Sequence, residues 1–238
     1  MLDDELIQDF SFNFLGYGSA KPRIVFIGME EGGGNSLEEV AKRLNAWEAL
    51  GRPRLADIRE YHSRIGMPQL FCTAGYRRQN TWQGLIKLYR NALGIPIKDL
   101  NAFQRDEWCG PDSDVASIEL FPLPSPSINK WLYADWTRVP EIRVSRKTYY
   151  RFLFERRATL IRDFIKRATP SIVVMYGLKH KKWFETLFYC DRPQLMQKGV
   201  YIFPNISVPS TTLICHPAYA SNLTLECAGN SAADRAFH

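Results

Sequence analysis

The chain has no apolar run long enough to cross a bilayer, so a membrane-spanning protein is not expected. Its first residues, Met1 to Glu5, are acidic and lack the basic start and apolar core of a signal peptide, so a cytoplasmic protein is expected. The five cysteines (Cys72, Cys109, Cys190, Cys215 and Cys227) are odd in number and scattered, with no C-x-x-C pair. Zinc and iron–sulfur sites usually carry such local pairs, so no metal and no cofactor is expected, and the thiols read as reduced. The G-x-x-x-x-G-K-[ST] loop is missing, and two glutamates in the only comparable glycine-rich stretch would repel a phosphate. No internal repeat and no linker interrupts the 238 residues, which therefore read as one domain, 1–238, and as a monomer.

What is present is a net charge of +6, a modest pointer to a polyanionic partner because a basic surface gathers phosphates. Four stretches read as strands buried on both faces, since their apolar runs do not alternate: 24–27, 115–121, 171–176 and 211–215. An edge strand is expected over 200–203. Between them lie helical patterns at 36–50, 81–93 and 145–168, the first capped by Ser36, and a short basic helix from Lys179. A last helix is expected near residue 230. Phe10, Phe12, Phe14 and Tyr17 are expected on the outside of the domain. Residues 51–80 read as a long irregular excursion, and Pro122 to Ser127 as a rigid proline turn. In the 145–168 helix, Arg146, Lys147, Arg151, Arg156, Arg157, Arg162 and Lys166 read as a solvated face. Strands separated by helices predict an α/β fold: three layers, α/β/α, around a central, mostly parallel, four-stranded sheet.

The first strand, Ile24 to Ile27, is expected to end at Gly28 and to open into a turn, Met29-Glu30-Glu31-Gly32-Gly33-Gly34. Glu30 and Glu31 then stand at a strand's carboxyl end, the edge where open α/β sheets bind ligands. The fourth strand runs into His216, so an acid and a histidine at two strand ends of one sheet can meet over one pocket. His62, His180 and His238 have no comparable setting in the sequence.

Three pieces, in this order, resemble the uracil-DNA glycosylase superfamily. Gly28-Met29-Glu30-Glu31-Gly32 resembles its first motif, with Glu30 at the position of the water-activating residue. Ile118 to Ser125 resembles its middle strand and proline loop, and His216-Pro217-Ala218-Tyr219 its last motif. Thr81-Trp82-Gln83-Gly84-Leu85 looks like the helix before the middle strand. The resemblance spans roughly residues 23–225. Three positions depart from it: Glu31 replaces a proline, Ala218 a small hydroxyl residue, and Glu119 or Leu120 the asparagine that reads a pyrimidine.

The resemblance implies a DNA glycosylase-like hydrolase that removes a damaged or deaminated base, uracil or a relative, from single- or double-stranded DNA. Glu30 would activate water or stabilise the sugar cation, with Glu31 its competitor, and His216 would donate to the departing base. Met29, Phe71, Glu119, Phe121 and Tyr176 would meet the base. Ser125, Ser127, Lys179, Lys181, Ser221 and Asn222 would contact DNA, and Leu223 would wedge into the stack. The alternatives are a nucleic-acid-binding module of the same fold without the chemistry, and a hydrolase of small nucleosides or nucleotides.

Overall fold

The computed structural model describes residues 1–190, 193–197, 200–203 and 211–215. In chain order the elements are α1 (Asp4–Asn13), β1 (Gly16–Gly18), β2 (Ile24–Gly32), α2 (Leu37–Ala49), β3 (Leu55–Ala56) and α3 (Ile58–Arg64). There follow α4 (Asn80–Leu93), α5 (Leu100–Asp106), β4 (Val115–Ser125), α6 (Pro140–Arg143) and α7 (Arg146–Ala168). The last are β5 (Ile172–Tyr176), α8 (Lys181–Leu187), β6 (Gln194–Gln197), β7 (Val200–Ile202) and β8 (Thr211–Cys215). The fold is α/β, a mixed sheet flanked by helices. Among the described residues the sheet has eight strands in the order β3-β1-β4-β2-β5-β8-β7-β6, against four central strands and one edge strand expected.

The unalternating apolar runs form its centre. β2 is parallel to β4 and to β5, and β5 is parallel to β8. Short antiparallel strands extend both sides, because β1 pairs with β4 and β7 with β8. Ile24 to Ile27 are fully buried, as the absence of a polar alternate residue demands.

Two punctuation signals read differently in the fold. Gly28 does not end β2, which continues to Gly32. Its partner continues too, since Glu30 pairs with Phe121 and Gly32 with Ser125 across a register irregularity. The proline segment is thus the end of β4 rather than a turn. β1 pairs with β4 only as far as Ile118, so beyond it β4 has a neighbour on one side. Proline lacks an N–H and is tolerated on such an open edge.

The helices follow their caps. Ser36 accepts from Glu39 N at the start of α2, and Ser145 from Thr148 N at the start of α7. The 51–80 excursion contains an unexpected α-helix, α3, whose cap is Asp57 accepting from Arg59 N, and a 3-10 turn over Pro68–Leu70. Phe10, Phe14 and Tyr17 are core residues, not outer ones. Phe10 packs edge-on to Trp47 of α2 at 5.2 Å, so α1 buries its aromatic face under α2. Arg157 is not on a solvated face but fully buried, donating to the carbonyls of Glu119 (2.8 Å), Leu120 (3.1 Å) and Phe12 (3.3 Å). Those bonds tie α7 to β4 and to the end of α1. Burial lowers its guanidinium to about 10, so it stays charged at neutral pH.

Candidate functional site

A cavity of about 700 Å³ opens at the carboxyl edge of the central strands. Its floor comes from β2 and β4, which contribute Glu30, Glu31, Ser117 and Glu119, and from Tyr176 at the end of β5. Tyr17, Arg43 and His62 form one wall, from β1, α2 and α3. Trp82 of α4 and the segment Arg77 to Thr81 form the rim.

That rim is held from inside the protein. Gln104, fully buried on α5, donates to the carbonyls of Leu70 (3.1 Å) and Arg77 (3.4 Å). Its Oε1 accepts from Gln79 N (3.2 Å) and from Gln83 Nε2 (3.0 Å). One side chain therefore fixes the path of residues 70–79 and leaves Arg77 and Arg78 exposed at the mouth.

The three carboxyls differ sharply in their partners. Glu31 Oε2 lies 2.9 Å from Arg43 Nη1, and its Oε1 accepts from the Tyr17 hydroxyl at 2.8 Å. Arg43 also reaches Glu39 Oε1 and the Gly32 carbonyl, each at 3.2 Å. Burial works against the Arg43 charge, but Glu31 and its other neighbours outweigh burial and raise its pKa. Tyr17 is held neutral by burial and by the charge of Glu31.

Glu30 turns to the opposite side. Its Oε1 is 3.3 Å from Arg146 Nε, and the Tyr150 hydroxyl lies beside the carboxyl. Burial raises the Glu30 carboxyl above its ordinary value, opposed by Arg146 and Tyr150. Arg146 also donates to the carbonyls of Ser127 and Lys130, both at 2.7 Å, and to the Ile128 carbonyl and the Ser125 hydroxyl. It thereby links the acid to the loop after β4.

Among the described residues Glu119 has no ion-pair partner at its carboxyl. Oε1 accepts from the Tyr176 hydroxyl at 3.0 Å, while the buried Oε2 has no hydrogen-bond partner among the described residues. Burial, then the nearby charge of Glu31, pushes its carboxyl up to about 8, so it is chiefly the neutral acid at pH 7. The pair needs Gly28: a Cβ there would collide with Glu119 Oε2 and Tyr176 Oη. The missing Cβ at Gly28 thus makes room for an acid on the neighbouring strand.

His62, without a setting in the sequence, is a wall residue only 3% exposed. Its Nδ1 is 2.7 Å from the Ile58 carbonyl and its Nε2 3.9 Å from Glu31 Oε1. Burial lowers the imidazole to about 4, against the pull of Glu31. A sequence signal for it existed: Asp57 with Glu60 three residues later is a helix-start pattern. Arg43, by contrast, reads as one more cation on an amphipathic helix.

The other expected site residues are dispersed. Phe71 packs on Trp82 and on His62, each at 5.5 Å, behind the wall. Met29 is buried beside the floor, and Phe121 is buried and stacked on Tyr150 at 4.0 Å. The Ser125 hydroxyl is buried and donates within its own loop, to the carbonyls of Lys130 (2.8 Å) and Ser127 (3.1 Å). Ser127 and Lys179 are exposed. Lys181 is engaged by Glu185 at 3.6 Å and by the Tyr201 ring at 4.3 Å. β8 pairs Cys215 with Tyr176 at the cavity edge; His216, Ser221, Asn222, Leu223 and the helix expected near 230 lie outside the described residues.

Among the described residues, no group of three or more His, Cys, Asp or Glu could hold a metal ion, and no helix is long and apolar enough to cross a membrane. No family model matches the chain, and neither a search of curated proteins nor one of solved structures gave a match.

Proposed function

We propose that this cavity binds a nucleobase extruded from DNA and hydrolyses its N-glycosidic bond, on a three-layer α/β/α fold of uracil-DNA glycosylase type. The observation that carries the reading is the convergence of Glu30, Glu31 and neutral Glu119 on one cavity with an aromatic side chain, Trp82, and two exposed arginines at its mouth. At about 700 Å³ the cavity falls within the usual span of small-molecule sites, roughly 300–1,000 Å³. Cleavage builds positive charge on the sugar and negative charge on the leaving base. The carboxylates of the floor would stabilise the first, and His216 would donate to the second. Trp82 offers a stacking face, and Arg77 and Arg78 offer charge for the flanking phosphates. The +6 net charge suits a polyanionic substrate.

A second reading is a nucleic-acid-binding module that lacks the chemistry. It is favoured by the ion pairs of Glu31 with Arg43 and of Glu30 with Arg146, which serve folding whether or not a substrate binds.

The test is a cleavage assay on oligonucleotides carrying uracil, hypoxanthine, xanthine or a mismatch, with Glu30→Gln and His216→Ala beside the parent. Loss of an oxyanion-type donor should slow cleavage about a hundredfold or more. A parent that binds these strands in a salt-sensitive way and cleaves none of them supports the second reading. Parent and variants cleaving equally well would remove Glu30 and His216 from the site.

A further inference from the structure

His62 and Glu31 confront each other with two hydrogen-bond acceptors and no proton between them. The Ile58 carbonyl can only accept, so the 2.7 Å contact assigns the ring hydrogen to Nδ1. Nε2 of the neutral ring then presents a lone pair. Glu31 Oε1, 3.9 Å away, is likewise an acceptor. Tyr17 occupies one lone pair of that oxygen and leaves the other open. Among the described residues nothing else packed here serves Nε2. Arg43 of α2 is directed at Glu31 and Glu39, Tyr61 of α3 donates to the Arg43 carbonyl, and Phe71 and Trp82 meet the ring with their own rings.

Two facing acceptors are relieved either by a proton on the ring or by a molecule that donates to both. Burial opposes the first. The second fits the distances: an oxygen about 2.8 Å from each atom bridges such a gap with two donated hydrogens. Both groups line the cavity.

We propose that His62 and Glu31 together seat the water that attacks the sugar, with His62 Nε2 as its proton acceptor. This rests on the hydrolase reading. It divides the labour of the adjacent acids, Glu31 holding the water and Glu30 facing the developing cation. In the step, the water oxygen bonds to the anomeric carbon, and the carbon–nitrogen bond breaks with its electron pair leaving on the base. A water proton passes to His62 Nε2, where Glu31 stabilises the imidazolium, and then to the base nitrogen. The products are a hydroxylated sugar and a neutral base. A weak base suffices, because water bonded to a cationic carbon is strongly acidic.

Two measurements test this on the whole chain. A high-resolution crystal structure of the parent should show a solvent peak within hydrogen-bond distance of both Nε2 and Oε1. Single-turnover cleavage by His62→Phe, which keeps a ring but removes the acceptor, should fall about a hundredfold or more, with DNA affinity within a few fold of the parent. His62→Gln, which restores an acceptor oxygen, should recover part of the rate. Melting curves report whether each variant folds, and if His62→Phe does not, the glutamine variant and the solvent peak decide. No peak at the pair, or His62→Phe cleaving at the parent rate, overturns the proposal. If the parent cleaves nothing, the hydrolase reading and the catalytic role fall together, and the peak alone decides whether the pair seats a water.

Discussion

Glu31 and Glu119 stand at the same edge of one sheet and bury a carboxyl in opposite ways. Glu31 is neutralised by a partner, the Arg43 guanidinium at 2.9 Å, itself almost fully buried. Among the described residues Glu119 has only a tyrosine hydroxyl, and it carries its own proton instead. The cost of desolvation forces one solution or the other. The contrast is useful to a site: one cavity offers a carboxylate held by its cation and, beside it, a neutral acid able to donate.

The largest effect should come from breaking the paired side. Arg43→Leu would leave Glu31 buried without its cation and should cost about 3–5 kcal/mol in urea unfolding, much of it recovered by adding Glu31→Gln. An additive double variant would mean that the pair is not a unit.

Next come two pH windows of opposite sign. Buried His62 titrates near 4 when folded and near 6.5 when unfolded, so the unfolded chain binds more protons between those values. Stability should therefore fall as pH drops from about 6.5 to 4, by about 3 kcal/mol relative to His62→Gln. Glu119 titrates near 8 folded and 4.5 unfolded, so the folded chain holds the extra proton. Its contribution is complete below 4.5 and is lost as pH rises towards 8, a loss that Glu119→Gln should abolish. A parent and Glu119→Gln with parallel stability profiles across that range would mean that Glu119 is not the neutral acid.

A smaller effect is expected where the neutral pair is housed. Gly28→Ala puts a methyl against Glu119 and Tyr176 and should cost about 1–3 kcal/mol by overpacking. Smallest is a change remote from both acids: Ser36→Ala removes the α2 cap, at about 1 kcal/mol, without moving either pH window.

The sequence carried the scaffold of this comparison better than its details. Unbroken apolar runs identified the four central strands, and Ser36 announced α2. Glu30 and Glu31 were recognisable as acids at a strand's end. Their partners were not, because Arg43 lies on a helix that packs across β2, and i,i+4 spacing from Glu39 suggests only a surface pair. Arg157 was hidden for the same reason: a helix's charge pattern does not say which cation meets carbonyls beneath it. Gly28 looked like a terminator, since the need for a glycine opposite Glu119 exists only once β2 and β4 are in register. His62 required α3, seven residues within a segment that reads as irregular.

The most direct test of the account is a crystal structure of the Glu30→Gln variant with an oligonucleotide that carries the base the parent cleaves. The account predicts that base extruded into the cavity against Trp82, with the anomeric carbon turned to Glu31 and His62 and the flanking phosphates near Arg77 and Arg78. A strand bound on another face, or bound here with every base still stacked, would contradict it.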